Sequence, residues 1–595
     1  MRRFGILLCV NFFLWHHAHA QDSIYIVTNY NNQLNEYLSD FNTTFATIQE
    51  AEHALNDLVH TMQIDGYLTA AWRWEPNEMH RNPSVKVVEI NLGKKVLWAN
   101  LDASGVEPWL LRAAGFDPED WINTTYNQNK AASFLQELVS YANNNGYPFA
   151  SSHLDSITYI DSTLSAKVIF EKNILIFFDT IKVIGSLQVT SNFITQYTQI
   201  ISGQPYDQSL IDALPSRLKE LNFLQQTKAP QIEFMGNKAT VLIFADDKRS
   251  GSFDFLLGVL PNNEITGRLI ITGDMRLHLQ NVFHSGEEIH FQYTKLESAS
   301  KSMDAAFTYP YLPHIPLGPD ASFHLYLKDS TFLERKASAG VVWQIAGNHS
   351  LKGFTSFYNS SVLRPDTTFV LLNYALPSML DVKENAYGLT WQYQHLDYTF
   401  NPRKGYAIAL TGTAGTRTIL ENVSITELFN PLTPDFDFST LYDSIENKSL
   451  SLKYQYDLQY FIPLYNRMAI LLQVRGASIL HDNIVENELY RIGGNQLLRG
   501  FDEQSLPVSD YHIGTFEYRY LLSQNAYTSV FVDAGVTKNN ALDNTALVYP
   551  YGFGAGVRFE TKAGIFGLSY ALGGSNMNPV QVKNTKVHFG YINYF

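Results

Sequence analysis

The chain has 595 residues, room for several domains, with 14% aromatic residues, a mean hydropathy of −0.14 and one cysteine, Cys9. A formal net charge of −14 argues against a nucleic-acid partner, and a lone cysteine excludes a disulfide framework and any site built from several cysteines. Beyond the first twenty residues no apolar run reaches about 18 residues, so no helix is expected to cross a membrane.

Residues 1–20 carry Arg2 and Arg3, an apolar run from Phe4 to Trp15, and Ala18 and Ala20 around His19. This reads as a secretory signal peptide cleaved before Gln21. Cleavage would remove Cys9, which has no small-residue lipobox around it, along with His16, His17 and His19; the charge would become −16 with the loss of Arg2 and Arg3.

From 21 to 248 helical stripes alternate with short strand-like runs. Ala51, Leu55, Leu58, Val59 and Met62 form one stripe within 47–64, Leu135, Leu138, Val139 and Ala142 a second within 129–144. Leu210, Leu214, Leu218 and Leu221 form a third behind the N-cap candidate Asp207, and Pro215 inside it predicts a kink. The stripes repeat at intervals of about 75 to 80 residues, which predicts three modules: 21–93, 94–173 and 174–248. Each stripe is followed by two strands: Tyr67 to Trp74 with Val85 to Leu92, Pro148 to Tyr159 with Leu164 to Phe170, and Gln231 to Phe234 with Ala239 to Phe244. Leading strands are expected at Val96 to Leu101, at Thr180 to Ile184 and, less sharply bounded, at Ile24 to Val27.

From 252 to 595 the pattern changes to a period of two. Residues 449–460 show it best: Leu450, Leu452, Tyr454, Tyr456, Leu458 and Tyr460 alternate with Ser449, Ser451, Lys453, Gln455, Asp457 and Gln459. One face suits lipid and the other water. Sixteen such strands are expected, and an even number closes an antiparallel transmembrane barrel with both ends on one side. The three longest connections, 362–383, 420–448 and 481–511, all fall on the side away from the N-terminal modules.

No GxSxG, HExxH, Walker A or EF-hand pattern occurs, so no catalytic residue, cofactor or metal is expected. Gly552-Phe553-Gly554-Ala555-Gly556 lacks the helix that a dinucleotide site requires. His278, His284 and His290 are evenly spaced, but alternation puts His278 and His290 in the lumen at unmatched heights on adjacent strands. Glu517 and Arg519 read as ordinary lumen charges.

The module order strand, helix, helix, strand, strand resembles the POTRA domain. Within the barrel, Leu498-Arg499-Gly500-Phe501 follows Arg491-Ile492-Gly493-Gly494 in the sixth outer loop. Phe531-Val532-Asp533-Ala534-Gly535 lies on the thirteenth strand, Gly554-Ala555-Gly556-Val557-Arg558 on the fourteenth, and Asn401-Pro402 with Gly405 before the ninth. Together these resemble the BamA/TamA family of outer-membrane assembly proteins across the whole mature chain; three modules look more like the TamA branch, since BamA usually has five. The resemblance implies that the sixth loop folds back into the barrel, with Arg499, Gly500 and Phe501 meeting Phe531, Asp533 and Gly535. Gly554 and Gly556 would leave room on the wall where the loop packs.

The segment His588 to Phe595 resembles the C-terminal β-signal of outer-membrane proteins, with Gly590, Tyr591 and Phe595 in the marked positions; Asn593 departs from it. A lateral seam is expected between Phe253, Phe255 and Leu257 on the first strand and Phe589 and Tyr591 on the last, with Pro261 and Gly258 limiting its ladder. The resemblance implies a non-enzymatic insertase in the outer membrane of a Gram-negative bacterium, with the modules in the periplasm. Its partners would be unfolded outer-membrane clients and outer-membrane lipid, with periplasmic or lipoprotein accessory subunits left open. A secretion pore of the two-partner type and a passive porin are the alternatives.

Overall fold

The computed structural model describes residues 24–28, 34–39, 41–75, 85–260, 270–296, 300–398, 401–541, 546–561 and 564–594. The expected signal peptide, Cys9, Pro261 and Phe595 lie outside the described residues. The chain packs as two compact units: the first two modules form one, and most of the third module groups with the barrel in the other.

Each module sets helices on a small sheet. In the first, Ile24–Thr28 runs parallel to Val85–Asn91, which is also flanked by antiparallel Ala71–Trp74. Helix α1 (Ile48–Ile64) begins at Thr47, whose side chain accepts from the Glu50 N–H, and buries Ala51, Leu55, Val59 and Met62 against that sheet. The second module orders its strands Leu97–Asp102, Thr163–Glu171, Ser151–Ile160. Its helix α2 (Gln128–Asn143) buries Ala131, Phe134, Leu138 and Ala142, so the face is rotated from the expected one: Leu135 and Val139 are only half-buried. Phe134 draws it round by packing 5.4 Å from Trp121 and 5.2 Å from Phe116. In the third module, helix α3 (Gln208–Glu220) includes Pro215 and buries Leu214 and Leu218. The Asp207 carboxylate accepts from the Ser209 N–H at its start.

Residues 252–594 form one closed sixteen-stranded antiparallel barrel. Its strands are β1 (Ser252–Leu260), β2 (Ile270–Gln280), β3 (Glu288–Lys295), β4 (Lys301–Thr308), β5 (Leu317–Lys328), β6 (Phe332–Ala346), β7 (His349–Val362) and β8 (Asp381–Leu396). They continue with β9 (Gly405–Leu420), β10 (Lys448–Tyr465), β11 (Met468–Leu480), β12 (Asp510–Leu521), β13 (Tyr527–Lys538), β14 (Pro550–Thr561), β15 (Gly564–Ser575) and β16 (Lys586–Tyr594). Every strand read from alternation is present, and on β10 the leucines and tyrosines at 450, 452, 454, 458 and 460 are exposed outward. β1 pairs with β16 from Ser252↔Tyr594 to Val259↔Val587, which closes the ring.

His278 and His290 correct the expectation of unmatched heights. They are directly opposed on β2 and β3, with ring centroids 6.5 Å apart. The ladder is symmetric about His284 on the turn 281–287, which brings the two into register. No group of three or more His, Cys, Asp or Glu able to hold a metal occurs among the described residues. His284 sits on that turn, where its carbonyl accepts from the Thr190 N–H of the third module at 2.7 Å.

Two further contacts hold the third module against the barrel's short turns. Asn192 donates to the Tyr311 carbonyl and accepts from the His314 N–H, both at 3.2 Å, and Gln199 donates to the Ile345 carbonyl. At the opposite end, the connections 363–380 and 421–447 share a core of Val370, Leu380, Ile425, Phe438 and Tyr442, which Val485 of the sixth loop joins. A dome therefore covers that mouth.

Candidate functional site

The sixth loop, 481–509, does not stand out in solvent. It turns into the barrel around a small core of Ile492, Leu498 and Val508, which packs on Ile513 of β12. Phe501 joins that core from one side. The short pair Tyr490–Ile492 and Leu506–Val508 zips the loop's two limbs together, so its tip is a hairpin rather than a free tether.

Arg499 projects from this tip into a carboxylate fork. Its Nε donates to Asp533 Oδ2 at 2.8 Å and its Nη2 to Asp533 Oδ1 at 2.7 Å, a bidentate pair, while its backbone N–H donates to Oδ2 at 3.0 Å. Nη1 donates to Glu517 Oε2 at 2.5 Å. The guanidinium lies 3.5 Å over the Phe531 ring, which gives its flat face a cation–π partner. Asp533 is 1% exposed and also accepts from Thr515 Oγ1, so both of its oxygens are satisfied without water.

Glu517 and Arg519 are therefore not ordinary lumen charges. Arg519 donates to Glu517 Oε1 at 2.7 Å and, at 3.4 Å, to Asn401 Oδ1 on the turn before β9; Asn401 in turn donates to the Gln524 carbonyl. One hydrogen-bonded chain thus runs from Asn401 through Arg519, Glu517 and Arg499 to Asp533, joining sequence motifs more than a hundred residues apart. Alternation put Glu517 on the same face as Asp533, but only closure of β12 against β13 made them share an arginine.

The glycines act differently from the expectation. A side chain at Gly552 would collide with the Arg499 carbonyl, and one at Gly573 with Gly500 and the Phe501 ring; these two, not Gly554 and Gly556, clear the wall for the loop. Gly554 instead makes room for the Phe531 ring under Arg499, and Gly556 has only ordinary neighbours. Gly535 sits beside Ile513, where a Cβ would press on the Ile513 side chain. Gly500 has a φ of +94°, a conformation other residues rarely adopt, and so turns the chain directly after Arg499.

Two further anchors escaped sequence reasoning. Arg491, noted only as part of a motif, donates to Glu334 on β6 at 2.5 Å and stacks 3.8 Å over Tyr326. Arg417 on β9 is 1% exposed and makes a bidentate pair with Glu488 of the loop at 2.8 and 2.6 Å. Neither glutamate lies in a recognisable motif. Burial also pushes the loop carboxyl of Glu503 up to about 7, with Asp274 adding to the shift and the Asn495 N–H opposing it.

At the seam, Phe255 pairs directly with Tyr591 and Leu257 with Phe589, while Phe253 faces Asn593. Tyr591 also packs 5.0 Å from Phe566, and Gly590 lies between Leu256 and Gly567. Lys586 of β16 pairs with Asp502 of the sixth loop at 2.5 Å.

A closed sixteen-stranded barrel with an arginine loop bonded to its inner wall is a specific combination, and the Omp85 superfamily domain matches residues 281–592, more than half of the chain. The chain belongs to the Omp85 superfamily. The BamA/TamA-type resemblance read from the loop and strand motifs agrees with this, and an Omp85 barrel is a protein of the bacterial outer membrane. No curated protein matches the sequence. Among solved structures, CdiB from Acinetobacter baumannii is similar at 12% identity over 94% of this chain and 98% of that one, with a TM-score of 0.53. CdiB from Escherichia coli is similar at 13% identity over 92% and 98%, with a TM-score of 0.52. BamA from Haemophilus ducreyi lacking POTRA domains 1–3 is similar at 13% identity over 84% and 100%, with a TM-score of 0.45. At these identities the likeness to the CdiB structures is one of fold.

Proposed function

We propose that this Omp85 protein is a non-enzymatic insertase that assembles β-barrel clients into the outer membrane, with its three α/β modules acting as POTRA domains in the periplasm. The observation that carries the reading is the seam. Among the described residues β1 and β16 have nine each and no turn joins them, whereas β8 and β9 across the barrel have sixteen each. A short ladder held only by its own hydrogen bonds is the cheapest place to part a barrel and admit a new strand edge. Exposed strand edges of the modules, such as Ser151–Ile160 at the rim of the second sheet, would hold unfolded clients by strand addition. Outer-membrane lipid receives the product, and accessory subunits would dock on the modules.

The competing secretion pore of the two-partner type, like a porin, needs passage through the lumen. Here the sixth loop crosses that space, bonded to β6 and β13, and the dome covers one mouth. Depletion followed by a proteomic census of the outer membrane separates the readings. Loss of several barrels supports the insertase, while loss of a single secreted polypeptide with all barrels intact overturns it.

A further inference from the structure

Across the barrel from the seam, the lipid-facing wall ends in a band of aromatic rings. Trp391 and Tyr393 of β8 stack with centroids 6.5 Å apart, and Tyr393 lies 5.7 Å from Tyr406 of β9. Tyr406 pairs in turn with Tyr460 of β10, which is 52% exposed. Such a girdle on the outside of a barrel marks where hydrocarbon gives way to lipid headgroups. It lies at the end whose short turns the third module bonds.

Just beyond the girdle, the β8–β9 and β10–β11 turns enclose an open cavity of about 530 Å³. One wall is basic, with Arg403 and Lys404; the other is apolar, with Leu464, Tyr465 and Met468. Leu464 and Tyr465 are 48% and 80% exposed, so this apolar surface is largely uncovered by protein. Arg403 Nη1 donates to the Asn466 carbonyl at 3.4 Å, which ties the two turns together. The only carboxylate of the lining is already occupied: Asp397 accepts from the backbone N–H groups of Arg403 and Lys404 and from Arg403 Nε. Lys404 is exposed, and its ammonium pairs with no acid among the described residues.

This charge is not spread evenly around the rim. Arg403, Lys404 and Arg467 are three of the four lysines and arginines in the barrel's seven short turns, Lys562 being the fourth, in a chain whose net charge is −14. Cations on one wall, bare apolar surface on the other and a position at headgroup depth together match one chemistry, an anionic phosphodiester carrying acyl chains.

We infer that these two turns form a binding site for an anionic phospholipid of the leaflet on the modules' side. Lys404 and Arg403 hold its phosphate, and Leu464, Tyr465 and Met468 receive its glycerol and upper acyl carbons. The site needs only the barrel's place in the outer membrane and is independent of the insertase reading.

The test uses the full mature chain in phosphatidylcholine vesicles doped with phosphatidylglycerol or phosphatidylcholine that carries a photoactivatable group at the top of one acyl chain. Cross-linked peptides are mapped by mass spectrometry. Phosphatidylglycerol should label residues 463–468 roughly tenfold more than phosphatidylcholine does, as two basic residues at an anionic headgroup allow. The rim turn 309–316, which has no lysine or arginine, should show no such preference. Arg403→Gln combined with Lys404→Gln should bring the two lipids level at 463–468, and Lys404→Arg should keep them apart. Should the double variant not fold, Lys404→Gln alone decides, since that ammonium supports no other part of the barrel. Equal labelling by the two lipids in the unaltered chain, or an equal preference at 309–316, would overturn the site. Loss of the labelling to soluble glycerol phosphate would also overturn it and assign the cavity to a free phosphate.

Discussion

The barrel has two unlike walls. Around the seam, β16, β1, β2, β3 and β4 have nine, nine, eleven, eight and eight described residues; on the far side β7 to β10 have fourteen to eighteen. The tall wall continues into the connections 363–380 and 421–447, whose shared core braces it. The short wall is tied differently: the third module bonds its turns at His284, Tyr311 and His314, and the loop pair Lys586–Asp502 holds β16. Ladder length multiplies the cost of opening, since each paired residue adds hydrogen bonds and cross-strand contacts. The ladders are thus shorter where the proposed strand exchange would take place and longer on the opposite side.

The largest expected effect breaks this comparison directly. A disulfide between Phe255→Cys and Tyr591→Cys, directly opposed across the seam, should abolish client assembly in a depletion–complementation assay. The same bond between Thr390→Cys and Thr411→Cys, opposed on β8 and β9, should leave it unchanged. Full activity of the locked seam, or equal loss from both locks, would show that the two walls do not differ in function.

Next come the loop anchors. Arg499→Ala strands the buried Asp533 carboxylate, a cost of about 3 to 5 kcal/mol that should appear as faster protease cleavage of residues 481–509 in an otherwise closed barrel. Asp533→Ala should behave similarly, and the double variant should cost less than the two singly combined because each removal strands the same pair. Glu488→Ala, which strands Arg417 on the tall wall, should loosen the dome by a similar amount while leaving the seam's cross-linking rate alone.

A smaller effect follows from pH. Glu503 has its carboxyl raised from the ordinary glutamate value to about 7, so the docked loop holds a proton that the undocked one releases near 4.5. Docking from this group is strongest below about 4.5 and is lost as pH rises through 7. Hydrogen exchange of residues 495–505, corrected for intrinsic rates, should accelerate between pH 5 and 8, and Glu503→Gln should flatten that dependence. A slope unchanged by Glu503→Gln would assign the titration to another group.

The smallest effects compare glycines. Gly552→Ala should unseat the loop tip, because its Cβ would strike the Arg499 carbonyl, and should mimic Arg499→Ala in the protease assay. Gly412→Ala, on the lipid face of the tall wall with nothing within 4 Å of its Cβ position, should be silent in both folding and activity.

Much of this was legible in the chain itself. Alternation marked all sixteen strands because lipid on one side and water on the other leave a two-residue period, and the long connections declared which mouth carries the dome. The Arg499–Asp533 pairing came from a motif resemblance, and the geometry joins those two residues. Glu517 escaped because an inward-facing acid is common in a lumen and nothing in its neighbours names its partner. Arg417, Glu334 and Glu488 escaped for the same reason, and the helix face of α2 was misjudged because Phe134 is oriented by Trp121, outside the helix.

What the sequence determined by itself is the set of faces: which residue of each strand meets lipid and which meets the lumen, for that follows from a local period. Which lumen residues meet one another was decided only when the barrel closed. Register and loop entry brought His278 opposite His290, put Glu517 beside Arg499 and chose Gly552 and Gly573 over Gly554 and Gly556 to receive the loop. Those contacts depend on positions summed around a ring of sixteen strands, and no local pattern records that sum.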